Sequence, residues 1–373
     1  MAKRIMLAVA GAGKTYRICN ELNPQSKNLV LAFTHANVDN IVRELVKKHG
    51  EVPFLTEVMT FHSFVYRYGI LPFQPTILAH FQSNQIRPNG ISLADPPPQR
   101  IKIGSRTVPN RQYKKKDNFE HYVTKSGQYY CERLTELIME VKANKQSLWK
   151  KIAAATNRFY DMVFVDEFQD FREYDYEFIV SLSKLLDNVL LVGDYYQHSV
   201  SGKNNSGKPF SKKSTPITYQ AFLTQLEHSG FTVDTATLRQ SRRCSPEICK
   251  LIVDKLAVEI ESAGCSTGVI KWIPSEQLPS VLDDDNIVKL VRQEARRYSF
   301  NARNWSYSKG DTYSTVCVIL TKALNDFEQS GFRADPTKPK ARNSLYVALS
   351  RSSGDLLLVR DKDFQLVKDK YYK

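Results

Sequence analysis

The sequence predicts an α/β protein with parallel strands, and three observations carry that prediction. Short apolar runs rich in β-branched residues alternate with helical patterns along most of the chain. The first run passes into a glycine-rich loop closed by Lys14 and Thr15. A later run, 162–165, ends in two carboxylates, Asp166 and Glu167, at the carboxyl edge where open α/β sheets bind ligands.

Taken in order, the runs at 5–8, 29–33, 162–165, 189–192, 269–273, 316–320 and 356–359 read as buried strands, being short and bounded by polar or turn residues. Helices are expected at 16–22, 36–48, 174–186, 246–258, 287–297 and 341–350, where apolar residues recur with helical spacing. The stretch 71–160 departs from this pattern. Seven prolines punctuate its first half (Pro72, Pro75, Pro88, Pro96, Pro97, Pro98 and Pro109), and 129–160 looks helical. The Ser, Gly, Asn and Lys of 199–215 suggest a mobile loop after a strand.

A chain of 373 residues, 42% hydrophobic and 25% charged, fits two globular domains and excludes disorder, collagen and a disulfide mini-domain. The formal charge of +14 favours a polyanionic partner. Within 71–160 there are 15 Lys/Arg against 6 Asp/Glu, a surplus of 9 out of that 14. Cys19, Cys131, Cys244, Cys249, Cys265 and Cys317 form no CxxC pair and have no histidine at metal spacing, which speaks against zinc and suits a reducing cytoplasm. The apolar start is too brief for a secretory signal, and no run is long enough to span a membrane.

The loop Ala8-Val9-Ala10-Gly11-Ala12-Gly13-Lys14-Thr15 has the context of a phosphate-binding Walker A loop, between a strand and a helix. Backbone N–H groups of Ala10, Gly11, Ala12 and Gly13 would wrap a phosphate at a helix N-terminus. Lys14 would supply a point charge and Thr15 a hydroxyl for Mg²⁺. Asp166 would be the second Mg²⁺ ligand and Glu167 the base that deprotonates attacking water. The bland alternatives are a glycine turn beside a surface lysine and a structural acidic pair, and the coincidence of both motifs weighs against them.

Val165-Asp166-Glu167-Phe168-Gln169-Asp170 resembles the DExQD motif of UvrD/PcrA/Rep-like superfamily 1 DNA helicases. Further strings resemble that family's motifs in its order: Phe33-Thr34-His35-Ala36-Asn37, Thr60-Phe61-His62-Ser63, Leu191-Val192-Gly193-Asp194-Tyr195-Tyr196-Gln197, Leu238-Arg239-Gln240-Ser241-Arg242-Arg243-Cys244, Ser308-Lys309-Gly310-Asp311 and Leu345-Tyr346-Val347-Ala348-Leu349-Ser350-Arg351. About sixty residues separate the fourth and fifth motifs, so the resemblance is to a compact form lacking the 2B domain.

The resemblance implies an α/β P-loop NTPase with two RecA-like parallel-sheet domains and a small basic insertion in the first. Its parts would be 1–70 and 159–215 for domain 1A, 71–158 for the 1B-like insertion, and 216–373 for domain 2A. It implies ATP and Mg²⁺ as cofactors, Gln169 positioning water, Gln197 sensing the γ-phosphate, and Arg243 and Arg351 as fingers on it. An arginine suits that place because its fork pairs with phosphoryl oxygens. Arg242 and Gly310 join the nucleotide contacts, Arg242 standing where the family stacks a tyrosine on adenine. Thr34, His35, Thr60, Phe61 and His62 fall on DNA contacts, with a core role the alternative for Phe61. Tyr346 and Val347 read as packing residues.

The basic cluster Arg106, Arg111, Lys114, Lys115 and Lys116 would line a nucleic-acid track, or else be a solvated charge run. The family's base-stacking aromatic after Gln197 is replaced here, leaving Tyr195, Tyr196, Phe210, Trp305 and Tyr307 as candidates or as core. The reading is an ATP-dependent DNA helicase or single-strand translocase, 3′ to 5′ by resemblance, acting on single-stranded DNA or a tailed duplex. A regulatory ATPase serving a nuclease, replication or defence partner, an RNA helicase, and a P-loop kinase or transferase are the alternatives. The expected compartment is the cytoplasm, at the nucleoid in a prokaryotic or phage-infected cell.

Overall fold

The structure, a computed structural model, describes residues 3–83, 88–143, 145–198, 207–212 and 215–373. Most of the expected loop 199–215 lies outside the described residues. Strand β1 (Arg4–Leu7) runs into the phosphate-loop motif and helix α1 (Lys14–Glu21). Strand β2 (Asn28–Ala32), buried throughout, precedes α2 (His35–His49). The Thr34 hydroxyl caps α2 by accepting the Asn37 N–H, and Gly50 closes it at φ 84, a value glycine adopts without strain. Next come β3 (Thr56–Thr60), α3 (Leu134–Glu140), α4 (Leu148–Phe159), β4 (Met162–Val165), α5 (Glu173–Leu185) and β5 (Val189–Gly193). They are followed by α6 (Tyr219–His228), β6 (Thr232–Asp234), α7 (Pro246–Leu256), β7 (Ile270–Trp272), β8 (Val288–Val291), β9 (Ala302–Asn304), β10 (Val316–Ile319), α8 (Pro339–Leu349) and β11 (Leu356–Val359).

The chain forms two compact units, one of Met1–Lys3, Leu22–Val165 and Phe171–Leu190, the other of Arg4–Glu21, Asp166–Asp170 and Leu191–Lys373. In the first, β4, β2 and β3 pair in parallel, with Val163 opposite Leu29 and Leu31 opposite Met59. Helices α3 and α4 pack on α5. The basic stretch contains an antiparallel hairpin, Arg100–Ile103 with Arg106–Pro109, in which no residue is buried.

In the second unit β1 pairs in parallel with β6, Arg4 opposite Thr232, and the Ala8 N–H donates to the Gly193 carbonyl at 2.7 Å. A five-stranded sheet of order β7-β11-β10-β8-β9 is parallel throughout. Leu278, Leu282, Val291, Phe300, Ile319, Val359 and Phe364 belong to one apolar core against it. The chain is thus α/β with parallel sheets, the architecture expected of RecA-like folds.

One expected helix is absent. Residues 287–297 form β8 and a short turn, Ala295–Arg297. Ile287, Val288 and Val291 are β-branched, and β8 is flanked by β9 and β10, so ladder pairing overrides the helical spacing. Lys289, which mimics a polar helix face in the sequence, is fully buried and donates its amine to the Asp284 carbonyl at 2.5 Å. Among the described residues, no helix is long and apolar enough to cross a membrane.

Candidate functional site

Fourteen of the sequence-derived candidates lie in the second unit: Ala10, Gly11, Ala12, Gly13, Lys14, Thr15, Asp166, Glu167, Gln169, Gln197, Arg242, Arg243, Gly310 and Arg351. The loop after β1 is held from outside, Val9 donating its N–H to the Leu238 carbonyl at 3.0 Å and Arg242 its N–H to the Gly11 carbonyl at 3.0 Å. Gly11 (φ 74) is required twice, since a Cβ there would also lie 2.6 Å from the Arg243 Cβ. The loop opens α1 at Lys14, whose amine lies 3.4 Å from Glu167 Oε1. Thr15 Oγ1 donates to Asp166 Oδ2 at 3.2 Å. A hydroxyl and a carboxylate oxygen this close are hard donors that fit Mg²⁺.

The carboxylates sit at the end of β4, where Glu167 adopts φ 53 and Asp166 accepts the Glu167 N–H at 2.9 Å. Both are buried. Burial and the charge of Glu167 raise the Asp166 carboxyl well above the usual range, against Lys14. Burial works against the Glu167 charge too, but Lys14, Lys309 and the Gln169 amide outweigh it and hold that carboxyl low. Gln169 donates to Glu167 and accepts the Asp194 N–H at 2.8 Å, so it spans both strand ends. Lys309 lies 3.4 Å from Glu167 Oε2 and also donates to Asp170.

Gln197 donates to Asp194 Oδ2 at 2.8 Å. Arg243 donates to the Ser350 carbonyl at 3.1 Å. Arg351 is buried and points its guanidinium at backbone, giving Nε–H to Val347 at 2.9 Å and an NH1 proton to Asp311 at 3.1 Å. Burial and the neighbouring Arg351 charge pull Arg243 down to about 10. Two guanidiniums that repel each other in a dry setting favour an anion, such as a phosphoryl group. Gly310 is exposed at φ 91. Arg242 lies over the Tyr16 ring at 5.4 Å.

The nucleic-acid candidates lie in the first unit, and their settings differ. Thr34 and His35 are exposed at the start of α2. Thr60 caps the short helix Phe61–Phe64 by accepting the Ser63 N–H. Phe61 is fully buried with its ring 4.6 Å from that of Phe171, which fits the core role. His62 Nε2 lies 3.6 Å from Asp175. Lys114 pairs with Glu120 at 2.8 Å, and Lys116 pairs with Glu136 at 2.7 Å and donates to Tyr174, whereas Lys115 is exposed. Of the five aromatic candidates, Tyr195, Phe210 and Trp305 are core, Tyr196 is half-buried, and Tyr307 is 72% exposed.

Sequence reasoning missed Lys309, Asp194 and Tyr346 as members of this cluster. Lys309 stood beside Gly310 in a recognised motif, a signal that was available. Tyr346 gave none, because a tyrosine on an apolar helix reads as packing.

An α/β fold with a glycine loop, lysine, threonine and paired carboxylates defines a P-loop protein. Residues 77–199 match the family described as UvrD/REP helicase N-terminal domain. That segment carries Asp166–Asp170 and Asp194 to Gln197, and over it the chain is similar to the UvrD/REP helicase family. Similar solved structures include the arterivirus nonstructural protein 10 helicase with DNA, at TM-score 0.46 and 15% identity over 98% of this chain and 63% of that one. A second structure of the arterivirus nonstructural protein 10 helicase gives 0.44 and 16% over 98% of this chain and 61% of that one. The PRRSV helicase gives 0.44 and 13% over 99% and 54%. The chain thus spans less than two thirds of the length of these structures. No curated protein matches it.

Proposed function

We propose that this chain is an ATP-dependent DNA helicase or single-stranded DNA translocase, moving 3′ to 5′, with ATP and Mg²⁺ as cofactors. The observation that carries the reading is the cluster of Lys14 and Thr15 with the buried carboxylates Asp166 and Glu167, in the same unit as Arg243 and Arg351. Bound MgATP supplies the phosphoanhydride whose hydrolysis drives the cycle. Thr15 and Asp166 would hold the cation, and Lys14 and the loop amides from Gly11 onward would orient the phosphates, the Ala10 N–H being given to the Tyr346 hydroxyl instead. Glu167, kept ionised by two lysines, takes the proton of the attacking water that Gln169 orients. Arg243 and Arg351 stabilise the charge that develops, and Gln197 reports the state of the phosphate to the strand-gripping surface.

In this reading 1–70 and 159–215 form the first RecA-like domain, 71–158 its basic insertion, and 216–373 the second. Thr34, His35, Thr60, His62 and Lys115 contact the strand, with Tyr307 the base platform. The test is the ATPase rate with and without single-stranded DNA and RNA, for the native chain and for Lys14→Ala and Arg351→Ala. Strong stimulation by DNA, lost in both variants, is expected, and indifference to nucleic acid sinks the motor reading. A tailed duplex left intact despite stimulation favours a translocase or a regulatory ATPase that needs a nuclease or replication partner. Blocked 5′ or 3′ tails report the polarity.

A further inference from the structure

The Tyr346 ring is fully buried on α8, five residues before Arg351. Its hydroxyl makes two hydrogen bonds to distant segments of the same unit. It accepts the Ala10 N–H at 2.7 Å and donates to Asp194 Oδ2 at 3.1 Å. Asp194 Oδ2 also accepts the Gln197 side-chain amide at 2.8 Å, and Oδ1 accepts the Tyr196 N–H at 3.0 Å. One phenol therefore joins the rising limb of the phosphate loop, the acidic end of β5 and the helix that leads to Arg351.

Packing alone does not account for this. A phenylalanine would fill the ring's volume, whereas the hydroxyl satisfies a buried loop amide and one side of a buried carboxylate. Each of those groups is aimed by the bond. The Ala10 amide fixes the limb from which the Gly11–Thr15 cradle continues, and Asp194, steadied by the phenol, holds the Gln197 amide on the same oxygen. A displacement of α8 therefore reaches the phosphate loop through a single rigid side chain with few rotamers.

We infer that Tyr346 is a positioning residue for the nucleotide site, a strut that couples the phosphate loop and Gln197 to the helix bearing Arg351. This rests on the nucleotide-hydrolysing reading above, and the test separates the two. Binding of a fluorescent, slowly hydrolysed ATP analogue and steady-state ATPase kinetics are measured on the full chain as native, Lys14→Ala, Tyr346→Phe and Tyr346→Leu. Tyr346→Phe is expected to weaken analogue binding about tenfold and to lower kcat as well, each bond lost being worth about a factor of ten. Tyr346→Leu should do no better, because the hydroxyl and not the ring bulk is what acts.

If native protein binds the analogue, Lys14→Ala does not, and Tyr346→Phe matches native within twofold in both affinity and kcat, the strut is wrong while the nucleotide reading stands. If native protein does not bind the analogue, both fall. Should Tyr346→Phe fail to fold, Asp194→Ala removes the acceptor of both the phenol and the Gln197 amide and leaves Tyr346 in place. It is then expected to weaken analogue binding at least threefold, and an unchanged affinity overturns the inference.

Discussion

Lys309 holds its amine 3.4 Å from Glu167 Oε2, on the opposite carboxylate oxygen from Lys14, which lies 3.4 Å from Oε1. The carboxylate is thus clamped between two cations from distant parts of the sequence. Burial alone would drive its proton on, and the two lysines keep it off. Lys309→Met should lower kcat about tenfold or more while moving the nucleotide KM less than threefold, since in the proposed function the group it aims acts in the chemical step. Lys309→Arg should restore much of the rate. Steady-state ATPase kinetics check this, and a pure KM effect would sink it.

Lys115 and Lys116 are neighbours with different fates. Lys116 is bound to Glu136 and Tyr174, and Lys115 is open to solvent. Lys115→Ala should weaken single-strand binding and reduce the slope of log K against log salt by about 0.7, the value for one phosphate contact on a single strand. Lys116→Ala should instead lower the melting temperature and leave that slope nearly unchanged.

Tyr307→Ala should raise the dissociation constant for single-stranded DNA about tenfold, within the ~1–3 kcal/mol of a stacked base, without changing the melting temperature. Phe61→Ala should do the reverse, costing ~3–5 kcal/mol of stability because its ring is entirely interior. Fluorescence anisotropy and thermal melting on the same samples distinguish the two. Equal losses of affinity and stability in both variants would contradict this division.

Glu136 carries a pH dependence of stability. Burial opposes its charge, but His121 at 3.2 Å and Lys116 at 2.7 Å outweigh it and hold the carboxyl below its usual value. The contribution is therefore present above the unfolded value of ~4.3 and is lost as pH falls through the lower folded value. Glu136→Gln should melt several degrees below native protein at pH 7, and the gap should close toward pH 3. Melting curves across that window test it, and a gap that widens in acid would contradict the ion-pair account.

The loop from Ala8 to Thr15 and the string Asp166 to Asp170 were legible as motifs because their pattern is local: a few adjacent residues supply the glycine loop, Lys14, Thr15 and the carboxylates. Lys309 and Tyr346 were not, because their roles come from partners more than a hundred residues away, Glu167 and Ala10, and no spacing rule reports that. The same limit explains 287–297, where pairing with β10 turned a helical pattern into a strand. The halves of the 71–160 stretch were told apart by proline and by apolar spacing. Which of its lysines is free depends on Glu120, Glu136 and Tyr174, and the sequence could not assign those pairings.

The pairing of Arg4 with Thr232, and of the Ala8 amide with Gly193, sets an order of events during synthesis. The residues that complete β1 are translated long after it, by roughly 10–50 s at about 5–20 residues per second. The ribosome thus releases the phosphate loop before anything can hold it. The nucleotide binding proposed above would therefore be gained late as the polypeptide emerges, and a nascent chain stalled before residue 232 should carry the Walker sequence without its affinity.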